Sequence, residues 1–176
     1  MIAQRTKSHH FVYPLFWLLP LISARALAAE WTTPEQIDAT SSQFGAPLTA
    51  PDTPIRPVNG IVNFWATWCA PCVKELPDLL ELERALDEGQ TLWLVNVGET
   101  AAQITEFADR HPDIQWRPEQ VTTGFSFADM RAIGLRGLPT TFLVRDGKLI
   151  ARVDGVREWA DAAEQAWIKE QLAAPQ

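Results

Sequence analysis

Residues 61–77 read Ile61-Val-Asn-Phe-Trp-Ala-Thr-Trp-Cys69-Ala-Pro-Cys72-Val-Lys-Glu-Leu-Pro77 and hold both cysteines of the chain. The first six residues form a short apolar run with β-branched and aromatic members, the composition of a buried strand. From about Pro71 to Leu86 the spacing turns helical, with Val73, Leu76, Leu79, Leu80, Leu82 and Leu86 on one face and a kink expected at Pro77. The cysteine pair therefore stands where a strand hands over to a helix. A thiolate there meets unpaired backbone N–H groups and the positive end of the helix dipole, which lowers its pKa. Cys72, three residues on, returns to the same side and can resolve a mixed disulfide formed by Cys69. Pro71 suits the first turn, where a missing N–H costs nothing.

Further along, Thr91-Leu-Trp-Leu-Val-Asn-Val97 is a second buried strand, ended by Gly98. Thr100-Ala-Ala-Gln103 is a capping box that opens a helix through about Arg110. Ser126-Phe-Ala-Asp129 caps a brief helix that Gly134 ends. Thr140–Val144 and Lys148–Val153 are strands joined by Asp146-Gly147, a hairpin turn signal. A last amphipathic helix is expected from about Val156 to Leu172, with Trp159, Ala163, Ala166 and Trp167 on one face. Residues 113–125, including Trp116-Arg-Pro-Glu119, carry no clear secondary-structure signal. Strands separated by helices imply a parallel central sheet, with the hairpin adding antiparallel strands beside it.

Ahead of this domain, residues 1–28 have the form of a signal peptide: basic Arg5 and Lys7, an apolar run from Phe11 to Ile22, and Ala26-Leu27-Ala28 as a cleavage signature. The apolar run falls short of the ~20 residues of a membrane span, although an uncleaved N-terminal anchor is the alternative. Export with cleavage before Ala29 is expected, and with it a periplasmic location. Residues 29–59 read as an N-terminal extension. Thr33-Pro34-Glu35-Gln36 is a capping box for a short helix, and Gly45, Pro47, Pro51, Pro54 and Pro57 suggest extended chain wrapping a domain edge. The remainder, 60–176, is one domain.

The 176 residues carry 15 Lys+Arg against 22 Asp+Glu, with 47% hydrophobic residues. That is enough apolar material for a core, and the acidic balance argues against nucleic-acid binding. Loss of Arg5, Lys7 and Arg25 with the leader leaves a net charge of −10 and His111 as the remaining histidine. A Ser-His-Asp triad or a multi-histidine metal site is then hard to assemble. Other uses of the cysteines compare poorly with redox exchange. A structural disulfide across so small a loop stabilises weakly. A tetrahedral metal centre has two thiolates and, besides carboxylates, only His111 to recruit. Haem attachment needs a histidine at position 73, where Val73 stands. No cofactor or metal is called for.

The 61–77 segment resembles the active-site region of the thioredoxin superfamily. With Val95-Asn-Val-Gly-Glu99 and Gly137-Leu-Pro-Thr-Thr-Phe-Leu143 it is similar, more narrowly, to the exported TlpA-type branch, which includes thiol–disulfide oxidoreductases of cytochrome c maturation. The resemblance spans about residues 60–172. It implies an α/β fold, a thioredoxin-like three-layer sandwich with a mixed central sheet and flanking helices. It also implies Cys69 as nucleophile, Cys72 as resolving thiol, Pro139 as a cis-proline facing the disulfide, and the Leu138 backbone as a site for a substrate strand. Thioredoxins proper carry a buried aspartate where this chain has Asn63, which cannot take a proton. The branch offers a glutamate at the position of Glu99 instead, as acid or base for Cys72; otherwise Glu99 is a charge preceding the Thr100 cap.

Trp68 is expected to flank a partner-docking surface, with Leu138 and the 113–125 segment. Trp65, Trp93 and Trp167 are assigned to the core, Lys74 and Glu75 to a solvated helix face, and His111 to a loop or helix end. The resulting expectation is an exported thiol–disulfide oxidoreductase acting as a reductant. Its expected partners are cysteine-containing exported proteins, such as apocytochrome c or copper-site assembly proteins, with a membrane thiol transporter as electron donor. The alternative is a copper-handling or chaperone module that uses the dithiol as ligands. Peroxidase chemistry is set aside, because Ala66 occupies the place where that chemistry wants a threonine.

Overall fold

A computed structural model describes residues 30–33 and 59–173. The leader, the helix expected after Thr33 and the proline-rich wrap lie outside the described residues. Chain order is β1 (Gly60–Trp65), α1 (Ala70–Arg84), β2 (Thr91–Val97), α2 (Ala101–Arg110), β3 (Val121–Phe125), α3 (Phe127–Ala132), β4 (Thr140–Arg145), β5 (Lys148–Asp154) and α4 (Ala162–Ala173). The strands form one sheet in the order β3-β2-β1-β4-β5. β1 and β2, and β2 and β3, pair parallel; β4 runs antiparallel to β1 and to β5. The expected three-layer α/β arrangement is what the chain adopts.

Strand alternation builds the layers. Ile61 and Trp65 of β1 face one side with Leu92, Leu94, Leu143 and Val153, where Leu76, Leu79 and Leu82 of α1, Ile104 and Phe107 of α2, and Ile168 and Leu172 of α4 meet them. Val62 and Phe64 face the other side with Val95, Val97, Phe142 and Val144, covered by Met130 of α3 and Leu135. β1, in the middle, is buried at every residue, as a strand covered on both faces must be. Gly60 opens it with φ 140°, and a Cβ there would lie 1.9 Å from the Thr91 carbonyl oxygen of β2. The two backbones meet too closely for any side chain.

Local signals set most boundaries. Thr100 and Ser126 both form complete capping boxes, with Gln103 and Asp129. The Ser126 hydroxyl, then its backbone N–H, hold the Asp129 carboxyl below its ordinary range. Asp146 and Gly147 both have positive φ, 50° and 73°, the geometry of a two-residue hairpin turn. Pro77 lies inside α1 without ending it.

Three expectations are corrected. The segment after α2 contains a single 3-10 turn at Pro118–Gln120 and then β3, an edge strand absent from the sequence reading. Within β3 only Phe125 is buried, and Gly124 takes φ 85°, so the apolar alternation that marks a strand is missing. Pairing with β2 fixes it instead. Trp116 turns inward, its ring centroid 5.4 Å from Trp65 and 6.0 Å from Phe107. The last helix starts at Ala162, so Trp159 lies in the loop before it, fully buried, while Ile168 and Leu172 are the helix's buried residues. Glu75 is buried rather than solvated, at 5% exposure. Lys74 is exposed and His111 caps the end of α2, stacked on Phe107 at 4.3 Å.

Candidate active site

The carboxyl ends of β1 and β2, and the start of antiparallel β4, converge on one rim of the sheet. In an open α/β sheet this is where ligands bind. Thr140 pairs with Phe64, so the residues just before Thr140 come level with the end of β1. Trp65 pairs with Asn96, which brings Glu99 to the same rim from β2.

Cys69 is the N-cap of α1; its N–H bonds to the Ala66 carbonyl at 3.1 Å, and its own carbonyl accepts from Val73 N–H at 3.1 Å. The tight turn after β1 thus sets Cys69 Sγ at the helix N-terminus. Cys69 and Cys72 are disulfide-bonded, with Cα atoms 5.3 Å apart. Cys69 keeps 7% exposure; Cys72 has none. Access to the bond is therefore through Cys69.

The Leu138–Pro139 peptide is cis. It is held from behind: the Thr140 hydroxyl donates to the Gly137 carbonyl at 2.9 Å, and Gly155 N–H donates to the Pro139 carbonyl at 2.8 Å. Leu138 is half-buried against both cores. Trp68 stands 58% exposed beside Cys69, and its ring lies 6.1 Å from that of Phe127, the first residue of α3. Phe127 in turn covers Gly98, where a Cβ would meet its ring at 2.6 Å. Phe127 carries no signal of its own in the sequence, and only the fold brings it to Trp68.

Glu99 is buried and committed to the active-site turn. Its carboxylate accepts from Thr67 N–H at 2.8 Å, from the Thr67 hydroxyl, and from the Asn96 side-chain amide at 2.8 Å. These bonds fix the chain two residues before Cys69.

The other buried carboxylate is Glu75, one helical turn beyond Cys72 on the inner face of α1. The Asn63 amide donates to its Oε1 at 3.0 Å and the Trp159 indole N–H to its Oε2 at 2.9 Å. The Arg157 backbone N–H also bonds to it. Asn63 is itself oriented by a second bond, to the Thr141 hydroxyl at 2.9 Å. Burial pushes the Glu75 carboxyl up to about 7; the donors from Trp159, Asn63 and Arg157 pull the other way, and Asp78 adds to the rise. Asn63 thus holds a carboxylate in the core beneath the cysteines instead of being one. The signal was available: Asn63 shares the inward face of β1 with Ile61 and Trp65, and Glu75 shares the inward face of α1 with Cys72, Leu76 and Leu79. Polar residues on two apposed apolar faces signal a pair.

The fold and this strand–CxxC–helix rim are thioredoxin-like, with a disulfide-bonded cysteine pair at the N-terminus of a helix. The chain's kin are specific: it is 36% identical over 100 residues to the thiol-disulfide oxidoreductase ResA of Geobacillus thermodenitrificans (strain NG80-2), across 53% of each sequence. It is 32% identical over 96 residues to the ResA of Bacillus thuringiensis subsp. konkukian (strain 97-27), again across 53% of each. These relatives bear out the resemblance to the TlpA-type branch. The chain spans about half the length of the curated relatives it matches. Among solved structures, a putative thiol:disulfide interchange protein DsbE from Chlorobium tepidum superposes with TM-score 0.54 at 22% identity, covering 74% of this chain and 94% of that one, a likeness of fold. No protein-family model matches the sequence.

Proposed function

We propose that this chain is an exported thiol–disulfide oxidoreductase, acting in the periplasm as a reductant of disulfides in other exported proteins. The observation that supports it most is the asymmetry of the cysteine pair: a rim-facing Cys69 at a helix N-terminus bonded to a fully buried Cys72. In the dithiol form the helix N-terminus favours the Cys69 thiolate. That thiolate attacks one sulfur of a partner disulfide, forming the mixed disulfide and expelling the partner's other sulfur as a thiolate. Cys72 then gives its proton to the Glu75 carboxylate and attacks Cys69 Sγ. The partner's second cysteine leaves with a proton from solvent, and the chain ends as the Cys69–Cys72 disulfide. Two electrons have passed to the partner. A dithiol donor in the membrane, of the thiol-transporter kind, restores the reduced pair.

Pro139 and the Leu138 backbone are assigned to receive the partner's chain beside the disulfide, with Trp68 supplying apolar contact. Apocytochrome c and copper-site assembly proteins are the partner classes proposed. No helix among the described residues is long and apolar enough to cross a membrane. The test is capture: Cys72→Ala, expressed with its leader, accumulates exported proteins as mixed disulfides on Cys69. Recovery of equal amounts from a Cys69→Ala, Cys72→Ala control would defeat the assignment.

A further inference from the structure

Trp31, from the N-terminal extension, is nearly buried against the body of the domain. Thr32 beside it bridges to Arg152 of β5, with N–H to carbonyl distances of 2.7 and 3.0 Å in the two directions. The Trp31 ring lies 6.0 Å from that of Trp159, edge to face, and 5.3 Å from that of Trp167. The Arg157 guanidinium sits 5.9 Å over the same ring. The Trp31 indole N–H donates to Glu164 of α4, which also pairs with Arg157. Trp31 therefore touches the two residues, Arg157 and Trp159, whose N–H groups grip Glu75 from the loop between β5 and α4. Loops carry little intrinsic order, so the direction of those two donors depends on what packs behind them.

We propose that Trp31 is a positioning residue for the cysteine chemistry: by clamping Arg157 and Trp159 it holds the donors on the Glu75 carboxylate and keeps water away from it. This deepens the reductant reading above and rests on it for its consequence, since Glu75 is the proton partner assigned to Cys72. Among the described residues the charged neighbours are these. On α1 it is Asp78; behind the Trp31–Trp159 contact stands the Arg157–Glu164 pair; on β1 and β4 the facing groups, Asn63 and Thr141, are neutral. Truncating Trp31 admits water to the loop, and because burial is the largest cause of the raised Glu75 value, the carboxyl then titrates lower. Replacing Trp159 by phenylalanine keeps the apolar cover and removes a donor, so the carboxyl titrates higher.

The deciding measurement follows the Glu75 carboxyl carbon by NMR across pH in the oxidised, glutamate-labelled protein, assigned by its loss in Glu75→Gln. It needs no thiol chemistry, so its failure is separable from failure of the oxidoreductase reading, which the trapping experiment tests. Trp31→Ala should lower the midpoint by about one pH unit, Trp159→Phe should raise it, and Trp31→Phe should stay near wild type. Denaturant unfolding of each variant reports stability separately. A folded Trp31→Ala whose Glu75 midpoint matches wild type would overturn the proposal, even with reduced stability, because Trp31 would then be packing alone. If Trp31→Ala does not fold, Trp31→Leu carries the same expectation and the same refutation.

Discussion

The two ends of the cysteine turn occupy different solvents. At the outer end Trp68 and Cys69 stand at a water-facing rim, with Phe127 and the cis Leu138–Pro139 bond close by. At the inner end Cys72 has no exposure and shares the buried face of α1 with Glu75, which Asn63 and Trp159 hold. One helical turn thus separates the cysteine that reaches the rim from the one sealed in the core, which in the proposed mechanism are the group that meets a partner and the group that gives up a proton. The outer end can vary at Trp68 and Phe127, whose side chains stand exposed. The inner end cannot, because Glu75 is hydrogen-bonded to two other elements of the fold.

Substitutions at each end should differ in kind. The largest effect is expected from Cys69→Ser, which removes the accessible nucleophile and should abolish reduction of a model disulfide; residual exchange through Cys72 would show that the inner end is not closed. Next is Glu75→Gln. Removing the acid–base partner should slow resolution of the mixed disulfide by roughly 100-fold, with the pH dependence near 7 lost, as followed by stopped-flow kinetics.

The same substitution has a signature in stability. Glu75 is raised from 4.5 to about 7 in the folded state, so the native protein holds a proton that the unfolded chain gives up. Unfolding then releases protons between these values, and stability falls as pH rises from about 4.5 to about 7, by roughly 3 kcal/mol, levelling above. Denaturation of oxidised Glu75→Gln should lack that slope. A retained slope would move the titration to another group.

At the outer end the changes should be milder. Trp68→Ala is expected to weaken mixed-disulfide formation with a protein partner several-fold, by roughly 1 kcal/mol, while leaving a small thiol reagent unaffected. An equal loss with both reagents would place Trp68 in the chemistry rather than the docking. Glu99 holds the turn just ahead of Cys69. Glu99→Gln should cost about 1–2 kcal/mol by loosening its hold on the Thr67 N–H, with the pH profile of exchange unmoved. A shifted profile would return Glu99 to the role of proton carrier.

The sequence was most legible where short-range chemistry decides. β2 lies where its apolar run predicts, the capping boxes at Thr100 and Ser126 form, and Asp146-Gly147 makes the hairpin turn. The strand–CxxC–helix junction is readable for the same reason. What escapes depends on partners far along the chain. β3 is a strand through pairing with β2, not through its own Val-Thr-Thr-Gly-Phe pattern. Glu75 reads as solvated because charged residues on helices usually are; the facts that bury it, Asn63 at a separation of 12 residues and Trp159 at 84, are tertiary. Trp159 reads as part of a helix face and instead anchors a loop, since α4 begins only at Ala162.

The short bridge between Thr32 and Arg152 has a consequence for how the domain behaves in a crowd. β5 is an outer strand of the sheet, and an outer strand offers unpaired N–H and C=O groups to any passing chain. Both backbone groups of Arg152 that would make such an offer are already taken by Thr32. The residue next to the Trp31 clamp thus blunts part of this edge against self-association.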